Sequence, residues 1–420
     1  MQNYLHYSEL EGIISAPGSK SYMQRALLAG LLAGGETILR SPSICDDTIA
    51  CRQACEALGL KIIEEHDLWR LKRDRFHRAE ELHCGESGLC LRMMSPVAAL
   101  FDWPILLTGK GTLKTRPMSM LVEPLTKLGA NCSLNDQFLP IHIRGPLQGG
   151  NITIDGSSSS QFLTGLLMAL PLIEHDSHIQ ALNLKSTPYI DMTLNILNKF
   201  SIWLKHLQYK DFFISGRQQY CAADITIEGD WSGAAFLLVA GAIAGKITIT
   251  GLNPHSLQAD RAIITALQLA RGNFAYNDQN QLIIEPSTLK GFEFDASDCP
   301  DLFPPLTVLA LHCQGISRIY GTNRLKYKES DRAFALVYEF SRLGGQIIQK
   351  DNYIEIEGNR PLAGEINSHH DHRIAMAGAI AGLRSKKGIR ILNSEAVSKS
   401  YPKFFEDLKK LNATLFWEEE

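Results

Sequence analysis

Eight basic residues occur where polar, glycine-rich sequence turns into an apolar segment or enters a loop: Lys20, Arg25, Arg92, Arg116, Lys328, Arg332, Arg373 and Lys399. Helix N-termini expose unpaired backbone N–H groups that suit anions. A cation at a helix N-terminus opposes the helix dipole unless an anion lies between them. The set therefore predicts a site for ligands that carry more than one anionic group, each held by charge-assisted hydrogen bonds.

Two carboxylates lie closest in sequence to these cations, Asp301 and Glu329. A carboxylate among cations normally has a lowered pKa and balances charge, which is the structural interpretation. The catalytic interpretation is proton transfer, for which carboxylates in unlike environments are suited. The residue pattern alone leaves both open.

The elements that must position these side chains begin with short polar motifs: PGSKS (Pro17 to Ser21), CGESG (Cys84 to Gly88), GSSSSQ (Gly156 to Gln161), GDWSG (Gly229 to Gly233), DCPD (Asp298 to Asp301) and HHDHR (His369 to Arg373). Helix N-capping accounts for Ser21, Ser160 and Asp230, since Ser and Asp are preferred caps. It does not account for the cations. The HHDHR run has no partner cluster elsewhere, so we expect no metal site.

Each motif leads into a strongly apolar segment, and the period is roughly seventy residues. The six segments are Met23 to Ala33, Leu89 to Phe101, Phe162 to Ile173, Ala234 to Ala244, Leu302 to Cys313 and Ile374 to Leu383. Such segments predict helices buried on all sides. A β-rich run follows each one, and then an amphipathic segment that often ends in glycine, as at Gly59, Gly129 and Gly345.

This repetition predicts an α/β protein of six units, three in each of two domains. An open solenoid is the second interpretation, because solenoid repeats are usually shorter than about 50 residues. A length of 420 residues also favours two domains.

Composition excludes several classes of protein. The chain has 45% hydrophobic residues, 42 Lys plus Arg against 45 Asp plus Glu, and a net charge of −3. It therefore offers no bulk field for nucleic acid or a membrane surface. Nine cysteines without a Cys-x-x-Cys pair, together with the lack of a leader or of a long apolar span, predict a cytoplasmic protein. A P-loop, a dinucleotide motif and Gly-x-Ser-x-Gly are not found.

Seven motifs, taken in order, resemble the 3-phosphoshikimate 1-carboxyvinyltransferase (EPSP synthase) family of enolpyruvyl transferases: PGSKSYMQR (Pro17 to Arg25), LTGKGTLKTRP (Leu107 to Pro117), SSQFLTGLLMALP (Ser159 to Pro171), TPYIDMTL (Thr187 to Leu194), YKESDR (Tyr327 to Arg332), DHRIAMAGAIAG (Asp371 to Gly382) and SKSYPKFFEDL (Ser398 to Leu408).

The resemblance implies an inside-out α/β barrel in each of two domains, built from three β-α-β-α-β-β repeats with buried helices. Residues 1–18 plus 229–420 would form the domain containing both termini, and residues 19–228 an inserted domain. The active site would lie in the cleft between them and close on ligand binding.

The implied reaction transfers the carboxyvinyl group of phosphoenolpyruvate to the 5-hydroxyl of shikimate 3-phosphate. Asp301, Glu329 and Lys20 would be catalytic. The residues holding shikimate 3-phosphate would be Lys20, Ser21, Arg25, Ser159, Ser160, Gln161, Ser186, Asp301 and Lys328, with Tyr189 packed nearby. Those holding phosphoenolpyruvate would be Lys20, Gly88, Arg116, Gln161, Arg332, Arg373 and Lys399. The resemblance implies no cofactor and no metal, and we expect a monomer that binds neither nucleic acid nor membrane.

One segment departs from the family pattern. The family's Gly-Asn-Ala/Ser-Gly-Thr, followed by Arg-Pro, is here Gly85 to Leu89 with Glu86 for Asn and Leu89 for Thr, and Met93 follows Arg92. The departure predicts an altered affinity for phosphoenolpyruvate and an altered response to the inhibitor glyphosate.

Two rival functions remain open at this point. The sister family, UDP-N-acetylglucosamine 1-carboxyvinyltransferase, has Asn after the first-helix Lys and usually a Cys in the second-unit loop, where this chain has Ser21 and Gly111. A non-catalytic nucleic-acid binder would need a basic face, which the net charge of −3 disfavours.

Overall fold

The computed structural model describes residues 2–418. Its contacts divide the chain into two compact units. The terminal unit comprises Met1–Pro17 with Glu228–Glu420, and the inserted unit comprises Gly18–Ile227. Each unit has its own core, and each is described by itself.

Both units combine long apolar helices with amphipathic ones. The α-helices are α1 (Lys20–Leu32), α2 (Asp46–Ala57), α3 (Gly88–Ala98), α4 (Val122–Lys127), α5 (Gln161–Ala169), α6 (Thr187–Lys199), α7 (Trp231–Ala244), α8 (Ile263–Leu269), α9 (Phe303–Leu311), α10 (Arg332–Arg342), α11 (His372–Gly382) and α12 (Phe404–Lys410).

The strands are short. They are β1 (Gln2–Leu5), β2 (Leu10–Ser15), β3 (Glu36–Arg40), β4 (Leu60–Glu65), β5 (Leu68–Arg73), β6 (Glu81–His83), β7 (Ile105–Thr108), β8 (Asn131–Asn135), β9 (Phe138–Arg144), β10 (Gly150–Asp155), β11 (Ser177–Leu182), β12 (Lys205–Leu207), β13 (Asp211–Ile214), β14 (Asp224–Thr226), β15 (Gly245–Thr250), β16 (Asn273–Tyr276), β17 (Leu282–Glu285), β18 (Glu293–Asp295), β19 (Ile316–Tyr320), β20 (Gln346–Lys350), β21 (Tyr353–Glu357), β22 (Gly364–Asn367), β23 (Ile389–Leu392) and β24 (Leu415–Glu418).

The strands described between residues 2 and 418 form six four-stranded sheets, three in each unit. The inserted unit holds the orders β14-β3-β5-β4, β6-β7-β9-β8 and β10-β11-β13-β12, and the terminal unit holds β16-β17-β15-β2, β18-β19-β21-β20 and β22-β23-β1-β24. In each sheet one parallel pair is followed by antiparallel pairs, as in β18, β19 and β21. The shared pattern confirms the predicted six α/β units rather than an open solenoid.

Three strands are separated in sequence from the rest of their sheets. Strand β14 pairs in parallel with β3 although the two lie at opposite ends of the inserted unit. Strand β2, near the N-terminus, pairs in parallel with β15. Strand β1 lies between β23 and β24 and is antiparallel to both. The N-terminal segment is thus part of two sheets of the terminal unit.

The six apolar segments form the buried helices, as predicted. Helices α1, α3 and α5 lie in the inserted unit, and α7, α9 and α11 in the terminal unit. Every residue of α9 and α11 is buried. The amphipathic helices α2 and α4 end before Gly59 and Gly129, whose φ angles of 104° and 96° place them in the left-handed region that favours glycine.

No helix that the structure describes between residues 2 and 418 is long and apolar enough to cross a membrane.

Candidate active site

In the inserted unit, the start of α1 brings Lys20 against a carboxylate. Ser19, rather than the predicted Ser21, caps this helix, and its side chain accepts a hydrogen bond from the backbone N–H of Tyr22. Lys20 Nζ lies 2.8 Å from Asp47 Oδ2, and the two side chains are 14% and 6% exposed. Asp47 lies in the first turn of α2. The predicted cation Lys20 therefore forms an ion pair with Asp47, a carboxylate that the motifs did not identify.

Arg25 links three helices of the inserted unit. Its Nε donates to Thr193 Oγ1 (3.0 Å), one terminal nitrogen donates to the carbonyl of Ser21 (2.9 Å), and the other donates to Thr164 Oγ1 (3.4 Å) and the carbonyl of Tyr189 (3.2 Å). Only 1% of the residue is exposed, and burial lowers its pKa to about 10. These bonds fix α1 against α5 and α6.

Gly88 allows two guanidinium groups to approach the start of α3. A Cβ atom at this position would lie 2.8 Å from a terminal nitrogen of Arg116 and 2.9 Å from one of Arg92. Arg92 also donates to Gln161 Oε1 at 2.8 Å. Three predicted phosphoenolpyruvate residues, Gly88, Arg116 and Gln161, therefore lie together, and Arg92 joins them.

Glu86 holds the turn that precedes Arg116. Its Oε2 accepts from the backbone N–H of Thr112 (3.2 Å) and from Thr112 Oγ1 (3.1 Å). Thr112 belongs to the 3₁₀ turn Gly111–Thr115. Gly111 has a φ of 53°, and a Cβ there would collide with the Glu86 carboxylate. Glu86, which departs from the family pattern, thus accepts hydrogen bonds from Thr112 that the spacing of the residues did not predict.

The serines of the inserted unit lie at two helix starts. Ser160 is the N-cap residue of α5, and Ser159 Oγ accepts from the backbone N–H of Gln161 at 3.2 Å. Ser186 is the N-cap residue of α6, with a φ of 56°. Both Ser160 and Ser186 are buried. Ser159 thus places its hydroxyl beside a backbone N–H group, whereas the side chains of Ser160 and Ser186 make no capping hydrogen bond. Helix starts of this kind suit an anion.

In the terminal unit, Arg332 is the centre of an ion-pair network. Its side chain is fully buried. Nε donates to Asp371 Oδ2 at 2.9 Å, one terminal nitrogen donates to Asp301 Oδ1 at 2.8 Å, and the other donates to Glu329 Oε2 at 2.6 Å. Burial opposes the charged form of Arg332, but Asp371, Glu329 and Asp301 outweigh it and raise the pKa.

Asp301 is surrounded by three cations. Besides Arg332, Lys328 Nζ lies 3.3 Å from its Oδ1, and Arg373 donates to its Oδ2 at 3.1 Å. Burial alone would raise the pKa of this carboxyl, but Arg373, Lys328 and Arg332 hold it well below its usual range. Asp301 is therefore ionised at neutral pH and balances the charge of the cations.

The charge of Lys328 depends on pH in a range close to neutrality. Burial is the largest influence on it and lowers its pKa to about 8, against the attraction of Asp301. The two arginines of the network keep their charge over the whole physiological range. Lys328 is thus the cation whose loss of a proton would first weaken the site as pH rises.

Asp371 organises the start of α11. It caps this helix by accepting from the backbone N–H of Arg373, and it accepts from Ser330 Oγ at 3.1 Å as well as from Arg332. His369, two residues before Asp371, has its Nε2 2.7 Å from Glu339 Oε1. Among residues 2–418, no group of three or more His, Cys, Asp or Glu is arranged to hold a metal ion. Lys399 is buried at the end of the 3₁₀ turn Ser394–Lys399, which packs against α11.

The sequence prediction therefore named the cations together with Asp301 and Glu329, but it missed Asp47 and Asp371 as partners of Lys20 and Arg332. Asp47 and Asp371 are acidic residues near a helix start, and nothing distinguishes them in sequence from ordinary caps. Thr164 lies in an apolar helix and Thr193 in an amphipathic one, and neither gives a signal of an arginine partner. Only the packing of separate helices brings these side chains together, within one repeat for Lys20 and Asp47 and between repeats for Arg25 with Thr164 and Thr193.

Comparison with protein families gives a match over nearly the whole chain. The family model for EPSP synthase (3-phosphoshikimate 1-carboxyvinyltransferase) matches residues 6–408. The 3-phosphoshikimate 1-carboxyvinyltransferase of Methanocorpusculum labreanum is 34% identical over 97% of this chain and 98% of its own length. The enzyme of that name from Clostridium acetobutylicum is 37% identical over 96% of this chain and 95% of its own length.

Solved structures show the same similarity. An EPSP synthase structure from Acinetobacter baumannii has a TM-score of 0.84 and 26% identity, with complete coverage of both chains. The enolpyruvyl transferase NikO from Streptomyces tendae has a TM-score of 0.80 over 99% of this chain and 98% of its own, but only 16% identity. The second likeness shows the fold alone.

Proposed function

Because the chain belongs to the EPSP synthase (3-phosphoshikimate 1-carboxyvinyltransferase) family, we propose that it transfers the enolpyruvyl group of phosphoenolpyruvate to the 5-hydroxyl of shikimate 3-phosphate. The products are 5-enolpyruvylshikimate 3-phosphate and phosphate, in the biosynthesis of chorismate and the aromatic amino acids. The observation that carries the proposal within the structure is the carboxylate of Asp301 held by Lys328, Arg332 and Arg373.

In this reaction two anionic substrates must be desolvated and must bind side by side. Preorganised cations offset the repulsion between them and cost no reorganisation during the chemical step. For phosphoenolpyruvate we assign Lys20, Gly88, Arg116, Gln161, Arg332, Arg373 and Lys399. For shikimate 3-phosphate we assign Lys20, Ser21, Arg25, Ser159, Ser160, Gln161, Ser186, Asp301 and Lys328, with Tyr189 beside them.

The addition step needs a base for the hydroxyl proton and an acid for the methylene carbon. We assign the base to Asp301 and the acid to Glu329, with help from Lys20. As the 5-hydroxyl oxygen attacks C2 of phosphoenolpyruvate, its proton passes to Asp301 and C3 gains a proton, which gives a tetrahedral intermediate. Phosphate then leaves C2 as C3 loses a proton.

The low pKa of Asp301 bears on its role as a base. A carboxylate paired with three cations binds a proton weakly. Bound phosphate and carboxylate groups would engage the same cations and reduce their pull on Asp301. Its pKa would rise only when substrates are present, so the base becomes effective at the moment the reaction needs it.

Arg25, which we assign to shikimate 3-phosphate, also holds helices of the inserted unit together. Arg25 donates to four acceptors on α1, α5 and α6, so its substitution would disturb the helices as well as the ligand. We therefore base the test on Asp301 and not on Arg25.

The test is phosphate release from purified protein mixed with phosphoenolpyruvate and shikimate 3-phosphate. The matched variants are Asp301→Asn, which keeps the shape of the side chain, and Asp278→Asn at an exposed position. We expect Asp301→Asn to lower kcat by a factor of roughly 10² or more, as for loss of a positioned base, and Asp278→Asn to leave it unchanged.

UDP-N-acetylglucosamine serves as the alternative acceptor. Phosphate release with the nucleotide sugar only would assign the chain's activity to the sister reaction. Release with shikimate 3-phosphate at equal rates in the protein and in Asp301→Asn would remove Asp301 from the role of base.

We also propose that the protein acts in the cytoplasm as a monomer on these two small anions and needs no cofactor or metal. All nine cysteines are free thiols, which suits a reducing compartment. Light scattering after gel filtration measures the molecular mass, and a value twice the chain mass of 46.7 kDa would show a dimer instead.

A further inference from the structure

One buried carboxylate of the terminal unit has no place in the reaction described above. Glu339 lies on α10, seven residues after Arg332, and only 1% of it is exposed. Seven residues make about two helical turns, so Glu339 and Arg332 lie on the same face of the helix. Helix α10 packs against β22 and α11. Between those two elements lies a short segment, residues 367–371, which we call the β22–α11 turn.

Glu339 contacts the start of the β22–α11 turn with both carboxylate oxygens. Its Oε2 accepts a hydrogen bond from the backbone N–H of Asn367 at 3.1 Å, and its Oε1 lies 2.7 Å from His369 Nε2. A carboxylate accepts hydrogen bonds and does not donate them, so the imidazole donates from Nε2. Oε2 also accepts from Arg342 at 3.3 Å, but that side chain is 47% exposed and belongs to α10 itself. Glu339 therefore links α10 to the backbone and to a side chain of the turn.

The β22–α11 turn has a backbone conformation that needs such support. His369 and His370 have φ angles of 52° and 55°, in the left-handed region that residues other than glycine rarely adopt. Two hydrogen bonds inside the segment accompany this path. The backbone N–H of His369 donates to Asn367 Oδ1 at 2.8 Å, and that of His370 donates to Ser368 Oγ at 3.2 Å. A disfavoured conformation persists only where surrounding contacts fix it, and the contacts with Glu339 are among them.

The path of the turn decides where two cations of the site lie. Asp371 ends the turn, and it accepts from Arg332 Nε and from the backbone N–H of Arg373, both at 2.9 Å. The guanidinium of Arg373 donates in its turn to Asp301 Oδ2. Helix α10 thus holds the β22–α11 turn at both ends, through Arg332 at one and Glu339 at the other. A shift at the Glu339 end would therefore displace Asp371 and the start of α11.

We propose that Glu339 and His369 are positioning residues for phosphoenolpyruvate: their hydrogen bond fixes the β22–α11 turn, and the turn fixes the guanidinium groups of Arg332 and Arg373. Preorganised cations bind an anion without first being reordered, so loss of this hydrogen bond weakens anion binding although neither Glu339 nor His369 is assigned to the substrate. The inference rests on the proposed function, which assigns Arg332 and Arg373 to phosphoenolpyruvate.

Simple stabilisation of α10 would have different consequences. If the contact only held the fold together, its loss would lower the temperature of unfolding and leave the KM values of the folded enzyme unchanged. Positioning instead predicts a rise in KM for phosphoenolpyruvate alone. Shikimate 3-phosphate is assigned in the terminal unit to Asp301 and Lys328, which lie outside the turn, so its KM should stay nearly the same.

The experiment compares three single variants by steady-state kinetics of phosphate release, with each substrate varied separately. His369→Asn removes the hydrogen bond but suits the backbone, since Asn tolerates a positive φ. His369→Gln keeps a side chain long enough to donate to Glu339. Arg342→Gln is the matched control, because it removes the other side-chain partner of Glu339 and leaves the turn unaltered. Thermal unfolding of each variant reports whether it is folded.

In His369→Asn we expect KM for phosphoenolpyruvate to rise by about three- to tenfold, as for loss of one hydrogen bond to a charged group. His369→Gln should restore most of the lost affinity, and Arg342→Gln should match the unaltered protein. An unchanged KM for phosphoenolpyruvate in folded His369→Asn would overturn the proposal. Equal rises for both substrates would also overturn it, as would a rise in His369→Gln or Arg342→Gln as large as that in His369→Asn.

Glu339→Gln tests the same contact from its other side. The substitution keeps the shape of the side chain and replaces a charge-assisted hydrogen bond by a neutral one, so KM for phosphoenolpyruvate should rise by a smaller factor. The double variant Glu339→Gln, His369→Asn should bind phosphoenolpyruvate no worse than His369→Asn alone, because both changes remove one contact. A rise equal to the product of the two single effects would show that the residues act independently and would contradict the proposal.

Titration with inorganic phosphate separates this inference from the proposed reaction. Isothermal titration calorimetry of the whole protein measures anion binding and requires no turnover. Weaker phosphate binding in His369→Asn than in His369→Gln would support the positioning role even if the protein released no phosphate from the two substrates. In such an inactive protein, equal phosphate affinities would overturn the positioning role as well. An active enzyme whose KM for phosphoenolpyruvate is the same in all variants would reject this inference alone.

Discussion

Replacement of Asp371 should reveal how far the site depends on one buried carboxylate. Asp371 accepts two hydrogen bonds from Arg332, one from Ser330 Oγ and one from the backbone N–H of Arg373, and its side chain is fully buried. Asp371→Ala would leave the Arg332 guanidinium with fewer anions and α11 without its cap. Breaking a buried pair costs about 3–5 kcal/mol. Loss of an N-cap costs about 1 kcal/mol.

The expected fall in the free energy of unfolding for Asp371→Ala is thus about 5 kcal/mol, which is large against a typical total of about 5–15 kcal/mol. Asp371→Asn should cost less, because Asn is also a good N-cap and Arg332 keeps Asp301 and Glu329 as partners. Ser330→Ala removes only a single hydrogen bond to the same carboxylate and should cost about 1 kcal/mol.

Urea unfolding followed by circular dichroism measures these differences, and steady-state kinetics with phosphoenolpyruvate measures whether Arg332 still binds. We expect KM for phosphoenolpyruvate to rise in Asp371→Asn even where the protein is folded, because the guanidinium is less firmly held. A loss of less than about 1 kcal/mol in Asp371→Ala would refute the argument from the buried pair. Equal losses in the Asn and Ala variants would show that charge, and not capping, accounts for the whole effect.

Two further predictions concern the polar loops. Glu86→Gln should weaken the hydrogen bonds to Thr112 and change KM for phosphoenolpyruvate by a few-fold, with a smaller effect on kcat. The double variant Glu86→Asn, Leu89→Thr should also change the response to glyphosate. Kinetic constants equal to those of the unaltered enzyme would contradict both predictions. Because the pKa of Lys328 is lowered to about 8, KM for shikimate 3-phosphate should rise above that pH, and Lys328→Arg should remove the rise, as initial rates between about pH 7 and pH 9.5 would show. A rise of the same size in Lys328→Arg would assign it to another group.

Much of the local structure could be predicted from the sequence. The apolar run Ala234 to Ala244 predicts a helix that must be buried, and it lies within α7, whose residues are nearly all buried. The run Glu36 to Arg40 coincides with β3. These elements depend on hydrophobicity, period and glycine caps, which are properties of neighbouring residues in the chain.

The residue at which a helix begins could not always be predicted from the sequence. Ser21 has the residue type of a cap, but Ser19 caps α1 because the helix begins directly after Ser19, at Lys20. Ser19 and Ser21 are two residues apart and of the same type, so local sequence could not separate them.

Apart from Asp301 and Glu329, the partners of the charged residues could not be predicted. Arg332 and Asp371 are 39 residues apart, and Arg25 and Thr193 are 168 residues apart. Burial of each pair follows from helices of different repeats packing together.

The sequence by itself therefore determined the family, the six repeated units, the buried helices and the cations that begin them, because each of these is encoded in a short stretch of chain. Tertiary structure decided that β1 and β2 complete sheets formed by residues far along the chain, and which carboxylate neutralises which cation. The pKa of Lys328 also depends on it, since a pKa is set by burial and by charges brought near from distant positions.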